Sequence, residues 1–389
     1  MPWKETCAMN QKVQLIADYL KQNYTITQLS EIYGVSRNTI YKWIERYKQG
    51  GNEGLTDRIS APRRHPNATS LEIGRELTDF KIQHKHWGPK KVVSWLKQHR
   101  SGQPWPAVST ASSILKQAGL VKTRKKRSRT APYTEPFQEC SGPNMVWSVD
   151  YKGQFKTGDG KLCYPLTFTD NYSRYLLGCT GLSHPSYELS RPVFEAMFRK
   201  YGLPAAIRSD NGQPFGSTGL GGLSHLSVWL IKLGIKPERI KAGHPEENGR
   251  HERMHRSLKE ATANPPMKNL KEQQKAFDAF RIEFNEERPH EALGMRTPAS
   301  NYRVSLRAYP AKLPKIVYPL SYIVRQVRQN GEIKWKGEKV YVSQALPGES
   351  VALKQVAAHQ WRVYFSTYLL GTLDELDMKI KPCALLQGK

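Results

Sequence analysis

Cysteine is scarce in this chain. Five occur in 389 residues (Cys7, Cys140, Cys163, Cys179 and Cys383), an odd number with no CxxC pair. That scatter argues against a disulfide framework and against a thiolate zinc site, and it fits a reducing cytoplasm. Also missing are a signal-peptide pattern and any apolar run near the ~18 residues of a membrane span, so the expectation is a soluble protein of the cytoplasm with no membrane partner. Acidic residues are in short supply: 34 Asp and Glu face 60 Lys and Arg, a formal charge of +26. So one-sided a balance exceeds what solubility needs and favours a polyanion as partner, because neutralising phosphates releases counterions. Hydrophobic residues make up 38% of the chain, enough for globular cores with much solvated surface. The length is too great for one core of ordinary size.

What is present begins with helices. In ITQLSEIYGVSRNTIYKWIERY, Thr27 is expected to cap a short helix carrying Leu29 and Ile32, and Gly34 to make a tight turn. Ser36 is expected to cap a second helix with Ile40, Ile44 and Tyr47 inward. This is a helix-turn-helix layout, whose second helix lies in the major groove. Its outer face offers Arg37, Asn38, Tyr41, Lys42 and Arg46 to phosphates and base edges. After a turn-rich linker at 51–67, a second three-helix unit is expected over 68–121. It would have a Thr69/Glu72 capping box, Pro89 opening its middle helix, and Ser109 capping its last. This unit reads as another helix-turn-helix, winged or not. A basic run follows in the linker at 122–143. There Arg124, Lys125, Lys126 and Arg127 suit either a DNA-binding arm or a solvated connection.

From Asn144 the pattern changes to strands: MVWSVDYKGQF, LCYPLTFTDNYSRY and YLLGCTGL. A helix over Tyr187–Tyr201, a strand ending at Asp210, and further alternating strands and helices up to 302 imply a mixed α/β sheet covered by helices. Short strands over 303–389, with a hairpin expected at Asn330-Gly331, suggest a small SH3-like β-barrel.

Three acids stand out in the middle region. Asp150 and Asp210 end strands, and Glu252 sits on a helix otherwise crowded with cations. Carboxylates meeting at strand ends can hold Mg²⁺ or Mn²⁺, as two ions about 4 Å apart that activate a water or 3′-hydroxyl and stabilise the leaving oxygen. At these residues the chain resembles the DDE transposases of bacterial insertion sequences, within the retroviral-integrase superfamily. WSVDYKG is similar to the first-Asp strand, SDNGQPF to the second-Asp turn, NGRHERMHRSLK to the catalytic-Glu helix, and RPHEALGMRTPA to the segment closing the domain. GLTDRISAPRRHPN and HWGPKKV resemble the N-terminal modules. The resemblance implies an RNase H-like core. It also implies cleavage of an element's terminal repeats and joining of the 3′ ends to target DNA, by a homo-oligomer on double-stranded DNA.

The spacing leaves one choice open. Between Asp210 and Glu246 lie 35 residues, the superfamily's customary interval, whereas 41 lie between Asp210 and Glu252. Context favours Glu252, which follows Asn248-Gly249 on a helix, with the GSTGLGGLS insert accounting for the difference. Arg256 and Lys259 share its face and are candidates to hold phosphates, or Arg256 pairs with Glu252 itself. Asp170 reads as a structural aspartate beside turn formers. His251-Glu252-Arg253-Met254-His255 matches HExxH, which by motif alone is a zinc metalloprotease; the charge and the tandem helix modules oppose that. A DNA-binding regulator without catalysis and a nuclease that cuts without joining are the other readings.

Overall fold

The computed structural model describes residues 8–57, 68–121, 140–217, 219–240 and 249–381. The chain divides into two compact units, Met1–Ala68 and Thr69–Lys389.

The first unit holds α1 (Ala8–Leu20), α2 (Ile26–Tyr33) and α3 (Arg37–Gly50), then a short 3₁₀ turn. Leu15, Ile16, Leu29, Ile40, Trp43, Ile44 and Leu55 form its core. Gly34 ends α2 in the left-handed region, and the Ser36 hydroxyl accepts from Thr39 N–H, so the turn and the second helix start as expected. The first cap differs. Thr25, not Thr27, starts α2, because its side chain and that of Gln28 satisfy each other's backbone in a reciprocal box. On α2, Leu29 is buried and Ile32 is exposed.

The second unit opens with α4 (Leu71–Gln83), α5 (Pro89–His99) and α6 (Val108–Gln117), packed around Leu77, Trp87, Val92, Leu96 and Leu115. Pro89 is at the start of α5 as expected. Ser70 rather than Thr69 caps α4, and α6 starts after Ala107 with no side-chain cap, so Ser109 lies inside the helix. Among the described residues this module has no strands, hence no wing.

Next comes a mixed sheet. β1 (Val146–Tyr151), β3 (Leu162–Asp170) and β4 (Leu176–Leu182) form an antiparallel meander, with the short β2 (Phe155–Lys156) on the start of β3. β5 (Ala206–Ser209) joins β1 in parallel, and β6 (Lys236–Arg239) joins β5. Side chains alternate across the strands. Trp147, Val149, Leu166 and Phe168 pack on one face against Phe194 and Phe198 of α7 (Tyr187–Tyr201) and Trp229 and Leu230 of α8 (His225–Lys232). On the other face, Cys163, Leu176 and Cys179 meet Met254 and Leu258 of α9 (Gly249–Thr262) and Phe277 and Phe280 of α10 (Leu270–Ile282). Helices on both faces explain why β1 and β3 are buried over most of their length. This is the RNase H-like core.

The C-terminal region corrects an expectation: it is sheet-rich but not a closed barrel. β7 (Ile323–Gln326), β10 (Ser350–Ala357), β11 (Gln360–Phe365), β12 (Tyr368–Asp374) and β13 (Lys379–Lys381) make an open antiparallel sheet. β8 (Glu332–Trp335) and β9 (Glu338–Tyr341) form a separate hairpin. The hairpin turn is Lys336-Gly337, both with positive φ, and not Asn330-Gly331. At Gly331 the chain leaves β7, already paired to β10, for the hairpin, and a Cβ there would stand 2.8 Å from the Ser343 carbonyl oxygen. The core beneath includes Leu223, Val228 and Ile231, so this sheet is seated on α8; Lys232 pairs with Glu349 at 2.6 Å.

Candidate metal and DNA site

Strand register sets the first two acids. β1 and β5 run parallel with Ser148 opposite Arg208, so Asp150 and Asp210, each two residues further on, leave adjacent strands level with one another. Asp210 is steadied by Gly212 N–H, which donates to its carboxylate at 3.2 Å. Burial raises the Asp210 carboxyl above the usual range. Asp150 is shifted further: burial first, then the Asp210 carboxylate, with Glu252 adding to it, push it up to about 7. Glu252 lies exposed in the first turn of α9. Its rival Glu246 falls outside the described residues.

Two threonines and two histidines fix α9 to the sheet. Thr167 and Thr169 project toward α9 from alternate positions on β3. The Thr167 hydroxyl donates its one hydrogen to the Asp150 carbonyl at 3.0 Å, so the Nε2–H groups of His251 and His255, each 2.7 Å away, must donate to it. Thr169 Oγ1 then donates to His251 Nδ1 at 2.7 Å. Burial keeps both imidazoles neutral, pushing His251 down to about 3 and His255 lower still. With both nitrogens engaged, His251 has none left for zinc, and the HExxH match is a structural clasp. His255 Nδ1 keeps a free lone pair 3.9 Å from Asp150 Oδ2. One ligand atom from each of Asp150, His251 and His255 lies within 4.8 Å of the others, but the hydrogen bonds leave only His255 and the acids as usable donors. Thr-x-Thr on a buried strand, together with His at i and i+4, was the overlooked signal for this clasp.

Asp170 is structural. Fully buried, it accepts from Asn144 N–H, Ser173 N–H and Ser173 Oγ at 2.6–2.8 Å. Arg256 and Lys259, expected to act together, face different places. Arg256 lines a large cavity on one flank of α9, and Lys259 lies with Lys152 in a small pocket on the other. Lys152, two residues after Asp150, was not anticipated.

In the first unit, Arg37, Asn38, Tyr41 and Lys42 are exposed on α3. Lys42 and Arg46 lie over the Trp43 ring, at 5.5 and 4.8 Å from its centroid, and Lys12 of α1 joins them at 4.0 Å. The run Arg124, Lys125, Lys126 and Arg127 lies outside the described residues. No helix among the described residues is long and apolar enough to cross a membrane.

Family models described as "Integrase core domain" match residues 141–245 and 233–298. A helix-turn-helix domain matches 11–64, a homeodomain-like domain 39–115, and an IS481 family transposase C-terminal domain 322–381. The "Insertion element IS407 uncharacterized 31.7 kDa protein" of Burkholderia multivorans is 28% identical over 215 residues, 52% of this chain and 73% of its own length. The Gag-Pol polyprotein of Koala retrovirus is 24% identical over 198 residues, half of this chain but only 11% of the polyprotein. Among solved structures, the simian T-cell lymphotropic virus intasome in complex with PP2A regulatory subunit B56 gamma aligns over 76% of this chain and 94% of its own. It is 16% identical, with a TM-score of 0.37. Integrase-type cores generally depend on a divalent metal. From the helix-turn-helix modules through the integrase core to the IS481-type C-terminal domain, the chain belongs to the insertion-sequence DNA transposases of the integrase superfamily, which are DDE polynucleotidyl transferases.

Proposed function

We propose that Asp150, Asp210 and Glu252 are the three catalytic carboxylates, and that they hold Mg²⁺ or Mn²⁺, two ions per site. The observation that carries this reading is the level register of Asp150 and Asp210, with Asp150 raised by burial and by the charges of Asp210 and Glu252. Asp150 is raised by burial and by the charges of Asp210 and Glu252, and a hard divalent cation bound by these carboxylate oxygens would relieve that repulsion. Bound there, the metal would supply Lewis-acid activation of a water or 3′-hydroxyl and of the leaving oxygen.

The chain's own residues do the rest. The backbone hydrogen bond from Thr167 and the imidazole clasp hold Asp150 and α9 in one geometry. Lys152 and Lys259 offer positive charge to the phosphates on the Asp150 side of the helix. The reaction would cleave the ends of a mobile element and join their 3′ ends to target DNA. In this reading residues 1–50 and 68–121 read the terminal repeats, with Arg37, Asn38, Tyr41, Lys42 and Arg46 at the groove. Linkers at 51–67 and 122–143 separate them from a catalytic region at 144–302 and a C-terminal domain at 303–389. Arg124, Lys125, Lys126 and Arg127 would follow the DNA backbone. Cutting two ends calls for a homo-oligomer on DNA, working at the nucleoid of a bacterial cytoplasm.

Strand transfer by Asp150→Asn, Asp210→Asn, Glu252→Gln and Glu246→Gln proteins on labelled element ends tests it. The first three are expected to bind DNA and fail to join it, and Glu246→Gln to join normally. Joining by any of the first three would remove that residue from the site.

A further inference from the structure

On the flank of α9 away from Asp150 lies a cavity of about 710 Å³. Its basic lining includes Lys91 of α5, Arg253 and Arg256 of α9, and Arg288 and His290 just beyond α10, with Asp170 at the end of β3 and Glu260 of α9 also on its walls. Arg288 is the buried member, only 7% exposed. Its Nη2 donates to Ser257 Oγ at 2.9 Å, while Nε and Nη1 are buried with no hydrogen-bond partner, as is His290 Nε2. Orphaned guanidinium hydrogens in a native interior are costly and call for an acceptor.

Glu260, which also lines the cavity, and Glu283 act on Arg288 through charge, but neither hydrogen-bonds its Nε or Nη1. Glu283 is taken up by the Trp87 indole at 2.6 Å and by His84 and His86, and Glu291 reaches out to Lys90 at 3.2 Å. The basic groups there are held toward their neutral forms, only partly countered at Lys91 by Glu291. Burial and then Arg288 push Lys91 down to about 7, and burial, Lys91 and Arg288 push His290 down to about 3.

We propose that this cavity is a binding site for the sugar–phosphate backbone of DNA, with Arg288 as its buried anchor and Lys91, Arg253 and Arg256 as its walls. It rests on the DNA-transposase reading and adds a contact that the carboxylate site does not require. The volume falls within the range of ligand-sized cavities, about 300–1,000 Å³, more room than a bare anion needs and suited to an extended backbone segment. Guanidinium groups make charge-assisted hydrogen bonds to phosphate oxygens, and Arg288 lines the cavity with two N–H-bearing nitrogens not yet engaged by protein. A strand seated there would tie the second helix module, through Lys91, to the helix that carries Glu252.

The test is the salt dependence of duplex binding by the full chain, using the DNA that flanks its gene. Removing one cation that neutralises a phosphate lowers the slope of log K against log[salt] by about 0.9. Lys91→Met and Arg253→Ala are used because truncating buried Arg288 risks the fold; each is expected to lower the slope by about one. Asp150→Asn is expected to keep the wild-type slope while losing strand transfer, so failure of the carboxylate assignment is distinguishable from failure of the cavity assignment. Wild-type slopes in both cavity variants overturn the proposal. Should inorganic phosphate without DNA then raise Tm in wild type but not in Lys91→Met, the cavity belongs to a free anion instead.

Discussion

The two flanks of α9 are opposites built by the same means. On one, burial and the charges of Asp210 and Glu252 raise Asp150; on the other, burial and the charge of Arg288 lower Lys91 and leave His290 neutral. On neither flank do the opposite charges nearby, Lys152 on the first and Glu260, Glu283 and Glu291 on the second, offset the burial. Paired charges would have made each flank more stable and left it nothing to bind. Local electrostatic discomfort, taken with its sign, is what the two proposals share: a cation on the first flank and a phosphate on the second.

The contrast between the flanks is tested most severely by Asp150→Asn, expected to lower strand transfer by at least about a thousandfold while duplex affinity stays within a few-fold. Thr167→Val comes next. It keeps the strand but leaves two buried imidazole N–H groups and the Asp150 carbonyl without their partner. A loss of about 3 kcal/mol in denaturant unfolding is expected, with Thr167→Ser recovering most of it.

Trp87→Phe tests the cationic flank. It removes the hydrogen bond to Glu283 from the turn that precedes Arg288, and about 1.5–3 kcal/mol should disappear from the same measurement. The smallest effect is one of pH. Asp150 is raised above its unfolded value, so its proton is held by the folded state up to about pH 7, and metal must displace it below that. The increase in Tm produced by Mg²⁺ or Mn²⁺ should therefore be larger at pH 8 than at pH 6. The underlying affinity should fall about tenfold per unit below pH 7. An equal shift at both values would mean that Asp150 is not a ligand.

Much of this was legible in the chain. The strands bearing Asp150 and Asp210, the helix bearing Glu252 and the α3 face all follow from short-range pattern, which periodicity captures. Caps fell one or two residues from their expected places, at Thr25, Ser70 and Ala107. In Ser/Thr-rich starts, only the three-dimensional reach of a hydroxyl decides which one caps. Barrel closure was not readable because it depends on whether the first and last strands meet. Here β7 and β13 are opposite edges of an open sheet. The clasp joins residues 84 and 88 positions apart, and the Glu283 contact with Trp87 spans 196, distances at which spacing carries no information.

The clasp has a mechanical consequence. Successive residues of an α-helix point about 100° apart. A one-residue rotation of α9 about its own axis would swing Glu252 off Asp150 and Arg253 out of the cavity together. By gripping both His251 and His255, Thr167 acts as a key in a shaft: it leaves α9 one angular setting, and that setting serves the acid flank and the cationic flank alike. Any perturbation that turns this helix must detune both flanks in step, so neither can be adjusted alone by moving the helix.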